Sequence, residues 1–145
     1  MFKYLRDVKE NFSVASILLS TLLGNCINDN ENHSDFRSLS AAFITIFKRL
    51  NDFLQINTNK PIIKNPVLPE EDFSIHWDQD KYNNFRDKMN TYYIKSKNAF
   101  NETDKKKSIE LWKEVFGDEF PDIIENDKIA SSIVPVASTS KPWGQ

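Results

Sequence analysis

The sequence predicts an all-α fold, a helical bundle of about five helices joined by one proline-rich crossing. Three observations carry this. Apolar residues recur at helical spacing over most of residues 1–121. No apolar–polar alternation persists beyond four residues, apart from a weak run at Ile133 to Val136. Six prolines and three glycines are too few for a disordered or turn-dominated chain, while eleven Phe, four Tyr and three Trp supply large core side chains. A chain of 145 residues suits one domain, and a domain of this size buries roughly 70% of its unfolded surface.

Taken in order, Phe2, Leu5 and Val8 make a short apolar stripe. No capping residue precedes it, so the chain is expected to start inside a helix, with Met1 an internal start. Ser13 is the candidate N-cap of a second helix carrying Ile17, Leu18, Leu22 and Ile27. A polar loop covers Asn28 to Ser34. Asp35 then caps a long amphipathic helix with Phe36, Leu39, Phe43, Ile46, Phe47, Leu50, Phe53 and Leu54 on one face, the strongest periodic signal in the chain. Asn57 to Pro69 contains three prolines and reads as an extended crossing. Its Ile62, Ile63, Val67 and Leu68 are expected to lie against the bundle. Asp78 or Asp80 opens a helix carrying Tyr82, Phe85, Met89, Tyr92, Tyr93, Ala99 and Phe100. After a turn at Asn101 to Asp104, Ile109, Trp112, Val115 and Phe116 form the face of a last helix. Gly117 stands where a left-handed cap is wanted, and Pro121 stops the helix from resuming. Beyond Pro121 the pattern decays, and residues 122–145 read as a mobile C-terminal tail.

Composition excludes several classes. The net charge of −2 gives no global drive toward nucleic acid or an anionic membrane, and neither partner is expected. The longest apolar run, Ala15 to Leu23, is broken by Ser and Thr and is too short to span a bilayer. Cys26 lies among Leu22, Leu23 and Ile27 and reads as a small buried apolar residue. One cysteine forms no internal disulfide, and no basic-then-apolar leader is present, so a cytoplasmic location is expected. Asn11-Phe12-Ser13, Asn32-His33-Ser34 and Asn101-Glu102-Thr103 fit the glycosylation pattern, which a cytosolic chain does not use.

Candidate sites are sparse. Asp78-Gln79-Asp80 has the spacing of a metal-binding carboxylate pair, but it stands at a helix start, where acidic residues are favoured, and capping is the better reading. Glu70-Glu71-Asp72 reads as a solvated acidic start to a turn. His33 and His76 have no partner at ligand spacing, so no zinc site is expected. Lys105-Lys106-Lys107 reads as a solvated face.

Four segments carry a family resemblance. Ser108 to Pro121 (Ser-Ile-Glu-Leu-Trp-Lys-Glu-Val-Phe-Gly-Asp-Glu-Phe-Pro), the proline-rich Lys60 to Phe73 followed by Trp77, Phe2-Lys3-Tyr4-Leu5, and Ser16 to Leu23 occur in the order and spacing of a known lobe. The chain resembles, over about residues 1 to 121, the C-terminal helical lobe of bacterial SMODS-type nucleotidyltransferases, the cGAS/DncV-like synthases (CD-NTases) of CBASS antiphage signalling. Phe2-Lys3-Tyr4-Leu5 is similar to a helix shared by cyclic GMP-AMP synthases and 2′-5′ oligoadenylate synthases.

The resemblance implies a parent enzyme that joins nucleoside triphosphates, ATP or GTP, into a cyclic oligonucleotide that switches on a cell-killing effector. In that family a Gly-Ser motif and an Asp-x-Asp/Glu pair with a third carboxylate, on an N-terminal lobe, hold the triphosphate and two Mg2+ ions. No Gly-Ser pair occurs here, so the resemblance implies that the catalytic lobe and its Mg2+ ligands are missing from this chain, which alone is expected to be inactive. Two residues carry over. Lys3 matches the family lysine that reaches the triphosphate, and Ser16 matches the serine that contacts the same phosphates from the start of the next helix. On the residues alone, Lys3 reads as a solvated surface lysine and Ser16 as a helix-interior serine. The family position after that serine is often aromatic and stacks on a base; Ile17 has no ring for this. In some operons of the family a ubiquitin-transfer-like conjugating enzyme acts on the synthase C-terminus; the tail here ends Lys141-Pro142-Trp143-Gly144-Gln145, with Gln145 rather than glycine last. From another class, the chain reads as a stand-alone helical protein-interaction module.

Overall fold

The computed structural model describes residues 1–121; the tail at 122–145, and with it the apolar run at Ile133, lies outside the described residues. Among the described residues the architecture is all-α, with five α-helices and one 3₁₀ turn. The helices are α1 (Phe2–Lys9), α2 (Ser16–Gly24), α3 (Leu39–Ile56), α4 (Gln79–Asn101) and α5 (Lys105–Phe116), with the 3₁₀ turn at His33–Phe36. Among the described residues there is no named strand, only an isolated antiparallel bridge between Lys64 and Asp72. The long α4 packs against both α3 and α5, α1 packs on α5, and α2 on α3.

Helix starts follow capping chemistry. Ser38, Asp78 and Asp104 each accept a hydrogen bond from the backbone N–H three residues on, and so open α3, α4 and α5. Three sequence expectations are corrected here. Asp35 lies inside the 3₁₀ turn, and Ser38 is the true cap of α3, so Phe36 precedes the helix. Ser13 caps nothing: α1 ends at Glu10 in the left-handed region (φ 49°), the chain then runs irregularly to Ala15, and α2 starts only at Ser16. Also, α2 stops at Gly24, short of Ile27, which is half exposed. Gly117 does have positive φ, at 86°, but its ψ of 173° is extended rather than left-handed helical. That region is essentially reserved for glycine.

The core is aromatic. Phe2 of α1 meets Phe43 and Phe47 of α3 at centroid separations of 4.7 and 4.9 Å. Trp112, Phe116 and Phe120 pack as a mutually contacting triad at the end of α5, with centroids 5.9, 5.8 and 6.2 Å apart. Leu5, Phe47, Leu50, Leu54, Tyr82, Phe85 and Val115 are fully buried. Leu39, placed by its spacing on the inner face, is exposed because it is the first residue of α3 and projects beyond the packed turns.

The crossing is extended, as three prolines require, but most of its apolar residues do not reach the bundle. Only Ile63 is buried; Ile62, Val67 and Leu68 are exposed. The segment is held by polar contacts instead. The Asp72 carboxylate accepts hydrogen bonds from the Ser74 hydroxyl (2.6 Å), the Ser74 N–H (2.8 Å) and the Ile63 N–H (3.3 Å). Asp72 is therefore the organising acceptor of this loop, not a merely solvated charge. Lys60 Nζ adds a bond to the Ser74 carbonyl at 2.9 Å, and the Tyr82 hydroxyl donates to the Asn57 carbonyl.

Candidate phosphate-facing site

At the junction of α1 and α2, Arg6 ties Ser16 to the helix that bears Lys3. Arg6 Nη1 donates to Ser16 Oγ at 2.9 Å and to the Val14 carbonyl at 3.1 Å. Lys3 stands three residues before Arg6 on the same helix, so the two share a face one turn apart. Burial fixes this arrangement. Phe2 and Leu5 are the buried positions of α1, and Phe12 and Val14 of the following turn are buried too, leaving Lys3 and Ser16 on the outside.

The start of α2 has free donors. Its N-cap is Ala15, which has no side chain able to accept, and no side-chain cap bond forms. The first N–H groups of a helix have no intrahelical partner, and here Ser16 and Ile17 at that end are both exposed. An uncapped helix start favours an anion through its aligned amides. The Ser16 hydroxyl accepts from Arg6 and still has its own proton to donate. Lys3 makes no hydrogen bond or ion pair among the described residues. Its three ammonium donors suit phosphate oxygens as a mobile point charge.

Neighbouring charges limit the patch. Arg6 Nε is paired with Asp7 at 2.8 Å, which offsets part of its charge. Lys9 points elsewhere: its Nζ donates to the Glu114 carbonyl at 2.5 Å and lies 5.6 Å from the Tyr92 ring centroid. Partial burial, then Lys95 nearby, pull the Lys9 pKa below its ordinary value. Ile17 is exposed and aliphatic.

Other sequence candidates fall into structural roles. Asp78 is the N-cap of α4 and pairs with Lys81 at 3.2 Å; the Lys81 backbone N–H holds its pKa below the usual carboxylate range. Among the described residues, no group of three His, Cys, Asp or Glu side chains is arranged to hold a metal ion. Cys26 is buried, its thiol donates to the Leu22 carbonyl at 3.2 Å, and burial raises its pKa. Among the described residues no helix is long and apolar enough to cross a membrane. Sequence reading missed Arg6 as the residue that ties Ser16 to α1, although its spacing from Lys3 was visible on a helical wheel.

No family model matches the chain, and no curated protein matches it.

Proposed function

We propose that this chain is the nucleotide-gripping helical lobe of a cyclic-oligonucleotide synthase in antiphage (CBASS) defence, acting with a catalytic lobe that it lacks. The observation that carries the reading is the uncapped start of α2 at Ser16, joined through Arg6 to the helix that bears Lys3. Lys3 and Ser16 would meet the phosphates of ATP or GTP, and Arg6 would hold the two helices in register. Mg2+ and the nucleophile activation it supplies belong to the partner lobe, so the chain alone does no nucleotidyl transfer. A cytosolic location follows from the substrate.

Titration calorimetry with ATP tests this. Lys3→Ala and Ser16→Ala should each weaken binding roughly two- to fivefold, the upper part of the range for an exposed charged contact. Unchanged affinity in both variants would sink the proposal. Pyrophosphate release by the chain alone with ATP, GTP and Mg2+ would refute its inactivity. An in-frame Gly-Ser and Asp-x-Asp coding region upstream of Met1 would support the missing lobe.

A second reading has its own observation. Met1, Tyr4, Phe116, Phe120 and Pro121, with Glu119, line an open, mostly apolar groove of about 300 Å³ between α1 and the end of α5. A stand-alone interaction module would use such a groove for a partner protein. A nucleotide-independent complex abolished by Tyr4→Asp, with ATP binding absent, would favour it.

A further inference from the structure

At the far end of α2 from Ser16, Leu22, Asn25, Cys26, Asn28, Arg49 and Phe53 enclose a half-open cavity of about 270 Å³. Its nearest lining residue, Leu22, stands six residues along α2 from Ser16, roughly 9 Å at the ordinary helical rise, and it shares no residue with the phosphate-facing site, so it stands independently of the proposed function. We propose that this cavity is a binding site for a small, neutral, planar heterocycle bearing an amide-like hydrogen-bonding edge.

Each part of the class comes from the lining. The charge is fixed first. Arg49 lines the cavity, but its guanidinium is spent: Nη1 and Nη2 donate to the two Glu31 carboxylate oxygens at 2.6 and 2.9 Å, and Nη1 also to the Cys26 carbonyl at 2.9 Å. The bidentate pair cancels the charge and holds the wall rigid. An anion gains nothing there, and a cation meets no free carboxylate. Flatness comes from Phe53. Its neighbours Leu50 and Leu54 are fully buried, yet Phe53 is 36% exposed and lines the cavity together with the buried Leu22 and Cys26. An exposed ring among apolar neighbours offers its face to a planar guest. The edge chemistry comes from Asn25 and Asn28. Their backbones are engaged, Asn25 N–H with the Thr21 carbonyl at 2.9 Å and Asn28 N–H with Glu31 at 2.6 Å. Neither side-chain amide has a partner among the described residues. Each offers a donor and an acceptor side by side, the pattern that pairs with a heterocycle presenting both. The volume admits a small guest only, being near the lower limit for ligand pockets.

The test uses the full chain and adenine as the probe. Cys26 is the sole cysteine and forms part of the wall, so its alkylation by iodoacetamide, followed by intact mass at mildly alkaline pH, reports occupancy. With adenine at ten times its dissociation constant the rate should fall about tenfold by mass action. An N25A/N28A double variant with an unchanged circular dichroism spectrum should lose that protection. If that variant disturbs α2, Phe53→Leu serves: it retains apolar bulk, removes the ring, and should weaken protection about fivefold or more. Cyclohexanol, apolar but not planar, should protect poorly. No saturable protection by adenine, equal protection by cyclohexanol, or protection indifferent to these replacements would each overturn the assignment.

Discussion

Leu5→Ala tests whether the helix bearing Lys3 and Arg6 is an integral part of the bundle. With eight residues, α1 is too short to be helical alone, so its fold depends on burying Phe2 and Leu5. Leu5 is 0% exposed. The substitution removes three carbons, about 2.4 kcal/mol at roughly 0.8 kcal/mol each. The cavity left behind adds about 1 kcal/mol or more, giving a loss of about 3–4 kcal/mol. For a domain of this size that lowers Tm by roughly 10–15 °C. Tyr4→Ala, one position away but 44% exposed, should cost within about 0.5–1 kcal/mol. Urea unfolding followed by circular dichroism measures both. A Leu5→Ala cost below about 1 kcal/mol, or equal costs for the two variants, would show that α1 does not dock as described.

Two further predictions follow from capping and titration. Ser38→Ala, Asp78→Ala and Asp104→Ala should each destabilise by about 1 kcal/mol, whereas Ser13→Ala should fall within about 0.5 kcal/mol; a substantial Ser13 effect in urea melts would restore it as the cap of α2. Stability should also fall steeply in acid. The Arg49 guanidinium holds Glu31 below its ordinary pKa, the Ser74 hydroxyl does so for Asp72, and backbone N–H groups of Lys81 and Lys107 do so for Asp78 and Asp104. Each depressed carboxylate contributes stability that is present above its unfolded pKa, about 4, and is lost as pH falls through the lower folded value. Burial raises the Tyr82 pKa instead, so its contribution is whole below pH of about 10 and lost above it. A urea midpoint constant from pH 7 to pH 3 would contradict this.

Where burial and period coincide, the fold was legible in the sequence. The faces of α3, α4 and α5 were read from Phe43, Phe47, Leu50, Tyr82, Phe85, Trp112 and Val115, all of them buried. Asp78 and the turn before α5 were legible because capping is local chemistry. The failures have physical causes. Ser13 lies in a plausible cap position, but Glu10 turns left-handed and the docking of Phe12 and Val14 delays the helix to Ser16. The crossing carries four apolar residues in sequence, yet only Ile63 finds the core, because the Asp72–Ser74 hydrogen bonds set its path. Such side-chain acceptors leave no periodic trace. At the candidate site, Lys3 and Ser16 were named through family resemblance alone. The Arg6 bridge needed three dimensions, since ten residues of chain separate it from Ser16. The cavity at Phe53 was invisible in sequence, where that residue simply extends the apolar face of α3.

The most direct measurement of the central claim is an amide chemical-shift titration of the labelled chain with inorganic tripolyphosphate at low salt. The account predicts that Ser16 and Ile17 shift together with the Lys3–Arg6 turn, and that Lys3→Ala and Ser16→Ala suppress those shifts. Shifts centred on Lys105-Lys106-Lys107, with the α1–α2 junction silent, would mean that triphosphate merely finds the densest positive charge and that the nucleotide-gripping reading is wrong.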